Sequence, residues 1–99
     1  MIPKKFIENL LLKTDLIGLA GEFTELESNG KGFKGLCPLH SERVPSFTIL
    51  PNGKAWKCFN CKKGGNAVAL VREIKKLSFP EAIDYLAERA GMVIQEGKN

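Results

Sequence analysis

The chain contains 99 residues, of which 43% are hydrophobic, and carries a net charge of +4. This length fits one domain with a limited core, and the hydrophobic content argues against a disordered chain. No stretch reaches the roughly 18 apolar residues of a membrane span, and the start lacks the apolar run of a signal peptide. We therefore expect a protein of the reducing cytoplasm with no membrane partner.

The first third of the chain predicts two short helices followed by a strand. Apolar residues recur at helical spacing over residues 3–12, and a second helical turn is expected at residues 16–19. Hydrophobic and polar residues then alternate over residues 22–27, before a turn signal at residues 28–30. This pattern indicates a strand that enters a hairpin.

The middle of the chain predicts three further short strands. They are expected at residues 31–36, 45–49 and 54–57, with a turn at residues 51–53 between the last two. The first and the last of these strands lead directly into cysteine-bearing turns. The result is a small antiparallel sheet with both turns at one end.

After the sequence Lys62-Lys63-Gly64-Gly65, which we interpret as a turn, the pattern changes to a helical period. Asn66 can cap one helix. Ser78-Phe79-Pro80-Glu81 has the spacing of a capping box for a second helix, which Gly91 would end. Both helices carry one apolar side and are expected to pack on the core.

All three cysteines and the only histidine fall into two pairs with the same spacing, Cys37-Pro38-Leu39-His40 and Cys58-Phe59-Asn60-Cys61. Two residues between ligands allow one short turn to direct both side chains at one ion. A site with four protein ligands has no open position for substrate. We therefore expect one structural Zn²⁺, bound by Cys37, His40, Cys58 and Cys61, and no catalytic role for the metal.

Two other interpretations of the cysteines are weaker. Three cysteines cannot all pair as disulfides within one chain, and nothing in the sequence is typical of a secreted protein. A redox pair at Cys58 and Cys61 would normally follow a strand of a βαβ unit, and no such pattern precedes it.

These elements predict an α+β fold: a zinc ribbon with a small antiparallel β-sheet, flanked by N-terminal and C-terminal helices. The zinc-binding domain would occupy residues 1–95, with its core at residues 31–65. Residues 96–99 would be a tail or the start of a linker. Because the unfolded chain has no preformed site, zinc binding should contribute directly to folding.

Positive charge is concentrated around the cysteine-bearing turns. Residues 31–63 contain seven basic residues and one acidic residue, a net charge of +6, whereas the flanking residues sum to −2. The aromatic residues Phe33, Phe47, Trp56 and Phe59 lie among these basic residues. Cations follow a phosphate backbone and aromatic rings stack on bases, so this mixture is typical of a single-stranded nucleic-acid site. Alternation places Lys34 opposite Phe33 and Lys57 opposite Trp56, without showing which set faces solvent.

Several motifs occur in a fixed order along nearly the whole chain. They are Phe33-Lys34-Gly35-Leu36-Cys37-Pro38-Leu39-His40, Pro45-Ser46-Phe47, Cys58-Phe59-Asn60-Cys61, Gly64-Gly65-Asn66, Ser78-Phe79-Pro80-Glu81-Ala82 and Leu86-Ala87-Glu88-Arg89-Ala90-Gly91. This series closely resembles the N-terminal zinc-binding domain of bacterial-type (DnaG-type) DNA primases. The sequence departs from that pattern at Leu39, where phenylalanine is usual, and at Asn60 and Lys62, where glycine is common.

The resemblance implies a module that helps to read single-stranded DNA template and to start RNA primer synthesis in DNA replication. Its partners would be a primase RNA polymerase domain, in cis or in trans, and a replicative helicase reached through the full-length protein. The four zinc-ligand positions match, and the family's template contacts correspond to Lys31, Phe33, Arg43, Trp56 and Lys57. The charge pattern adds Lys34 and Lys54 to these candidate nucleic-acid contacts.

We expect no catalytic residue in the chain itself, because none of its eleven acidic residues forms the convergent cluster that metal-dependent phosphoryl transfer requires. An enzyme activity would then depend on residues outside this chain. The alternative function is a structural or protein-docking zinc ribbon of a phage, plasmid or transposon protein. In that case, charge reversal at Lys54 and Lys57 should leave nucleic-acid binding unchanged.

Overall fold

A computed structural model describes residues 2–30, 32–39, 45–51 and 53–92 of the chain. Their helices are α1 (Lys4–Lys13), α2 (Leu16–Gly21), α3 (Ala67–Lys75) and α4 (Phe79–Ala90), and their strands are β1 (Leu26–Asn29), β2 (Gly32–Gly35), β3 (Phe47–Ile49), β4 (Trp56–Cys58) and β5 (Lys63–Gly65). No helix within these ranges has the length and apolar character to cross a membrane. The residues 96–99, predicted as a tail, lie outside the described residues.

The five strands form one antiparallel sheet in which each strand pairs with its neighbours along the chain, in the order β1-β2-β3-β4-β5. Two helices precede the sheet and two follow it. The predicted fold class, an antiparallel ribbon flanked by N-terminal and C-terminal helices, is therefore confirmed.

The pairing register separates the sheet into an inner and an outer face. Ile49 pairs with Phe33 on one side and with Trp56 on the other, and these three residues lie on the inner face. Ile49 is fully buried and Trp56 is 2% exposed. Thr48 pairs with Lys34 and with Lys57, so this row lies on the outer face, because successive residues of a strand point to opposite sides.

The helices close the inner side of the sheet. Their fully buried residues include Leu10, Leu19, Leu70 and Ile83, which join the inner-face residues in one core. At the junction of sheet and helices, the rings of Phe47 and Trp56 stack with their centroids 5.5 Å apart.

The caps predicted for the two C-terminal helices, α3 and α4, are confirmed. The Asn66 side chain accepts a hydrogen bond of 3.0 Å from the backbone N–H of Ala69. Ser78 and Glu81 form the reciprocal capping box at the start of α4. Gly91 ends that helix with φ of 72°, a left-handed angle that glycine adopts without steric cost.

Two side-chain interactions connect the C-terminal helices to the N-terminal part of the chain. Arg89 of α4 donates to the Glu22 carboxylate, with Nε 3.1 Å from Oε2. The Nζ atom of Lys75 lies 5.6 Å from the centroid of the Phe23 ring and 5.3 Å from that of Tyr85. Cation–π contacts of this kind contribute about 0.5–1 kcal/mol at exposed sites.

The strand predicted at residues 22–27 is wrong in its position. The structure places β1 at Leu26–Asn29, so the strand includes Ser28 and Asn29, which were predicted as a turn. The backbone N–H groups of Phe23 and Thr24 both donate to the carbonyl of Ala20, at 3.0 and 3.1 Å. These bonds complete the end of α2, and the alternating pattern was therefore misleading there.

The strand β5 was not predicted, because Lys63–Gly65 was interpreted as a turn. Two adjacent glycines give a weak strand signal. Gly64 nevertheless pairs with Lys57, and a Cβ atom at Gly64 would lie only 2.8 Å from the carbonyl oxygen of Trp56. This close approach of two backbones is the physical reason for a glycine at position 64.

Candidate metal centre

Three cysteines from two segments of the chain meet at one end of the sheet. Cys37 follows β2, Cys58 is the last residue of β4, and Cys61 lies in the turn between β4 and β5. Their Sγ atoms all lie within 4.8 Å of one another. Cys37 and Cys58 are buried and Cys61 is partly buried, so the cluster is shielded from solvent on most sides.

Hydrogen bonds fix the turn that carries Cys58 and Cys61. The backbone N–H of Lys62 donates to the carbonyl of Cys58 at 2.9 Å, and the N–H of Phe59 donates to the carbonyl of Ser46 at 3.0 Å. The Ser46 hydroxyl also lies 3.7 Å from the Cys58 sulfur. The second bond connects the turn to the segment before β3, and the cysteines are thereby held in place by the sheet itself.

Lys62 adopts φ of +62°, in the left-handed region. For a residue with a Cβ atom this conformation costs roughly 1–2 kcal/mol. The departure from glycine at this position therefore introduces mild strain. Asn60, the other such departure, does not have a positive φ angle.

The cysteine cluster fits zinc. A tetrahedral zinc ion binds thiolate sulfur at about 2.3 Å, which places two sulfur ligands about 3.8 Å apart. All three distances between the Sγ atoms are at most 4.8 Å, so the three sulfurs are close enough to bind one ion. His40, the predicted fourth ligand, lies outside the described residues.

The surroundings give the buried thiols very different acidities. Burial is the main cause that raises the pKa of Cys37 to about 12, and the neighbouring Cys58 and Cys61 add to the effect. Burial acts in the same direction on Cys58, but hydrogen bonds from the Cys61 backbone N–H and the Ser46 hydroxyl outweigh it and lower the pKa of Cys58 to about 7. Near neutral pH the Cys37 thiol must therefore release a proton before its sulfur can bind a metal ion as a thiolate.

The outer face carries part of the predicted nucleic-acid surface. Lys34 and Lys57 are both exposed, and Thr48 lies between them in the same row. Lys54 is also exposed, just before β4.

The inner face accounts for the other predicted contacts that the structure describes. Trp56 is 2% exposed, stacks on Phe47 and donates from Nε1 to the carbonyl of Asn66 at 2.8 Å. Its ring is part of the core and is not accessible to a base. Phe33 is partly buried on the same face. Lys31 and Arg43 lie outside the described residues.

Two residues on the outer side of the sheet were not among the predicted contacts. Phe59 is 58% exposed, and the Nζ atom of Lys57 lies 5.5 Å from the centroid of its ring. Glu27 pairs directly with Lys34 and brings a negative charge to that end of the row. The alternation that places Lys57 outward also directs Phe59 outward, and this signal could have identified Phe59 from the sequence.

Comparison with known proteins identifies the family. The CHC2 zinc finger model matches residues 2–99. A DNA primase of Neisseria meningitidis is 43% identical over 95% of this chain, and one of Staphylococcus epidermidis is 41% identical over 99% of it. The chain spans 16% of the length of each of these relatives.

A solved structure supports the same assignment. The crystal structure of the Aquifex aeolicus primase, which contains zinc-binding and RNA polymerase domains, matches 95% of this chain with a TM-score of 0.84 and 32% identity. This chain covers 23% of that structure. The family and the three clustered cysteines confirm the predicted cofactor, one structural zinc ion. The chain therefore belongs to the CHC2 zinc finger family, as a zinc-binding domain of the DNA primase type.

Proposed function

We propose that this domain binds single-stranded DNA template and helps to start RNA primer synthesis in DNA replication. Cys37, Cys58 and Cys61 bind the zinc ion together with His40, and the ion holds the ligand-bearing turns in place. Catalysis comes from a primase RNA polymerase domain, in cis or in trans. The proposed setting is the cytoplasm, where the full-length protein would also contact a replicative helicase.

The observation that carries this proposal is the row Lys34–Thr48–Lys57 on the outer face. Neighbouring strands lie about 4.8 Å apart, so the two lysine backbones are about 10 Å apart on an open surface. A phosphate backbone that crosses the strands can contact both ammonium groups. Because Glu27 opposes Lys34, the row is more positive at its Lys57 end. Lys62 and Lys63 lie at that same end, although Lys63 is paired with Glu73 at 2.8 Å.

A salt titration tests the proposal. Zinc-loaded protein is titrated into fluorescently labelled single-stranded DNA at several salt concentrations, with a duplex of the same sequence alongside. Each phosphate contact releases about 0.7 counterion from a single strand, so the affinity should fall steeply with salt. The double variant Lys34→Ala/Lys57→Ala should bind more weakly, with a salt slope reduced by about 1.4.

The matched control is Lys4→Ala/Lys5→Ala, which removes the same charge from the exposed start of α1. Its affinity and salt slope should equal those of the wild type, apart from the small loss of affinity that a lower net charge causes. Equal losses in both double variants would show that only the total charge matters and would contradict a site on the outer face. If the protein does not bind single strands, the alternative function, a structural or protein-docking zinc ribbon, would be favoured.

The isolated domain should not synthesise primers. In the described parts of the chain, the only potential metal-binding group of three or more residues is the cysteine cluster, and no carboxylate cluster is present. Template-directed dinucleotide synthesis should appear only when a primase RNA polymerase domain is added. Synthesis by this chain alone would contradict the assignment.

A further inference from the structure

Phe59 lies exposed between Cys58 and Cys61. Its exposed fraction of 58% is larger than that of Phe79, the other exposed aromatic residue in the described ranges, at 41%. Single exposed apolar side chains are common and carry no inference alone. The inference here depends on how the backbone of Phe59 is held and on what lies beside its ring.

Two hydrogen bonds and two neighbouring metal ligands restrain the backbone around Phe59. Its own N–H donates to the carbonyl of Ser46 at 3.0 Å, and the N–H of Lys62 donates to the carbonyl of Cys58 at 2.9 Å, which closes the turn. The sulfurs of Cys58 and Cys61, on either side of the ring in sequence, belong to the metal cluster. A ring presented on such a fixed turn loses little conformational entropy when a ligand stacks on it.

The neighbourhood of the ring is basic and open. Lys57 reaches over it, with Nζ 5.5 Å from the ring centroid. Gly64, the pairing partner of Lys57, has no side chain to cover the outer face. Lys62 continues the turn and is exposed. An aromatic face beside an accessible cation is the combination that single-stranded nucleic acid uses, because it offers an unpaired base next to a phosphate.

We propose that Phe59 is a base-stacking residue: one unpaired base of the strand stacks on its ring while Lys57 contacts an adjacent phosphate. This inference rests on the proposed function and deepens it, since a ring that stacks on a base requires a single strand and not only a charged polymer. In this arrangement the zinc ion has a second effect: bound by Cys58 and Cys61, it would hold both ends of the turn that presents the ring.

The test uses a single-stranded oligonucleotide that contains 2-aminopurine, whose fluorescence responds to stacking. Zinc-loaded wild type should bind with a change in that fluorescence. Phe59→Ala should weaken binding about 5- to 150-fold and abolish the fluorescence change, with the salt slope unchanged. Phe59→Tyr should restore both. The control Phe79→Ala removes a comparable exposed ring from the start of α4 and should behave as wild type.

A second probe separates stacking from an indirect effect on Lys57. An oligonucleotide of the same length in which abasic sites replace the bases keeps the phosphates and removes the stacking partner. Wild type and Phe59→Ala should bind it equally. If Phe59 acted only by positioning Lys57, the alanine variant would bind the abasic strand more weakly, with a lower salt slope, and the proposal would be overturned.

The outcomes distinguish this inference from the proposed function. Phe59→Ala with wild-type affinity and a wild-type fluorescence change would overturn base stacking, while salt-dependent binding by the wild type would still support the template site. A wild type that binds no single strand would overturn both. Emission from Trp56, the only tryptophan of the chain, reports whether each variant keeps its core.

Discussion

The indole Nε1 of Trp56 donates a hydrogen bond of 2.8 Å to the backbone carbonyl of Asn66. The same carbonyl accepts the first helical bond of α3 from the N–H of Leu70, at 3.1 Å. Through this shared acceptor, the strand that carries Cys58 is joined directly to the start of α3. Trp56 is therefore a structural link between the ribbon and the helices.

Trp56→Phe should destabilise the domain without removing DNA binding. The variant loses one hydrogen bond and part of a buried ring, and we expect the free energy of unfolding to fall by about 1–3 kcal/mol. Chemical denaturation followed by circular dichroism would measure this change. At temperatures where the variant stays folded, its affinity for single-stranded DNA should equal that of the wild type. A large loss of affinity in the folded variant would show that Trp56 contacts the strand after all.

Removal of zinc should unfold the ribbon and spare part of the helical structure. The metal cluster connects segments that follow β2 and β4, whereas α3 and α4 have their own caps. Chelation, or the substitution Cys61→Ala, should shift Trp56 emission toward that of exposed indole and retain some far-ultraviolet helix signal. A chain that keeps a buried Trp56 without metal would contradict a structural role for the ion.

Zinc affinity should fall as the pH is lowered. An ordinary thiol has a pKa of about 8.5 and burial raises the pKa of Cys37 further, so this thiol is protonated at neutral pH in the folded and in the unfolded metal-free chain, and it must release a proton when the ion binds. This proton alone predicts about a tenfold loss of apparent affinity for each pH unit of acidification below about pH 8. Competition with a chelating dye between pH 6 and pH 8 would measure the slope. A pH-independent affinity would exclude Cys37 as a ligand.

Gly32→Ala should destabilise the sheet, because a Cβ atom at that position would lie 2.4 Å from the carbonyl oxygen of Ile49. The backbone of β3 would have to shift, and we expect a loss of about 1–3 kcal/mol. The same substitution at Gly21, at the end of α2, meets nothing within 4 Å. Gly21→Ala should therefore be neutral or stabilising by up to about 1 kcal/mol. Thermal unfolding of the two variants side by side would check this contrast.

Lys62→Gly should stabilise the zinc-loaded domain by about 1 kcal/mol, because it removes the strain of a left-handed residue with a Cβ atom. Asn60→Gly is the informative control. The primase-type pattern commonly has glycine at both positions, yet Asn60 has no positive φ angle and should lose stability when its backbone becomes freer. Denaturant midpoints of both variants would show whether the backbone angle or the family pattern governs stability.

Local signals in the sequence predicted the features that depend on neighbouring residues. The spacing of the cysteines placed three ligands in two turns. Asn66 and Ser78 each begin a helix, because each side chain accepts a hydrogen bond from the backbone N–H three residues later, which has no partner within the helix. These relationships lie within one turn of the chain. They do not depend on what packs against them.

The features that were missed depend on tertiary context. Residues Lys63–Gly65 form a strand only because β4 is available as a partner, and alternation in residues 22–27 was overridden by the end of α2. Trp56 and Lys57 lie on opposite faces of β4. The helices determine which of these faces is buried, and the sequence of β4 alone does not show where the helices pack. Phe59 is one aromatic residue among several in the sequence, and only its exposure in the folded chain distinguishes it from the others.

The sheet pairs every strand with its neighbour along the chain. Such local pairing gives low contact order, so each hairpin can form with a short loop closure and folding should be fast for a β-containing domain. The cysteine-bearing ends of β2 and β4 are brought together by the strand between them, before the helices at the two ends of the chain need to meet. Capture of the metal can therefore come early in folding, and docking of the flanking helices, including the contact between α4 and α1, can follow on a ribbon that is already closed.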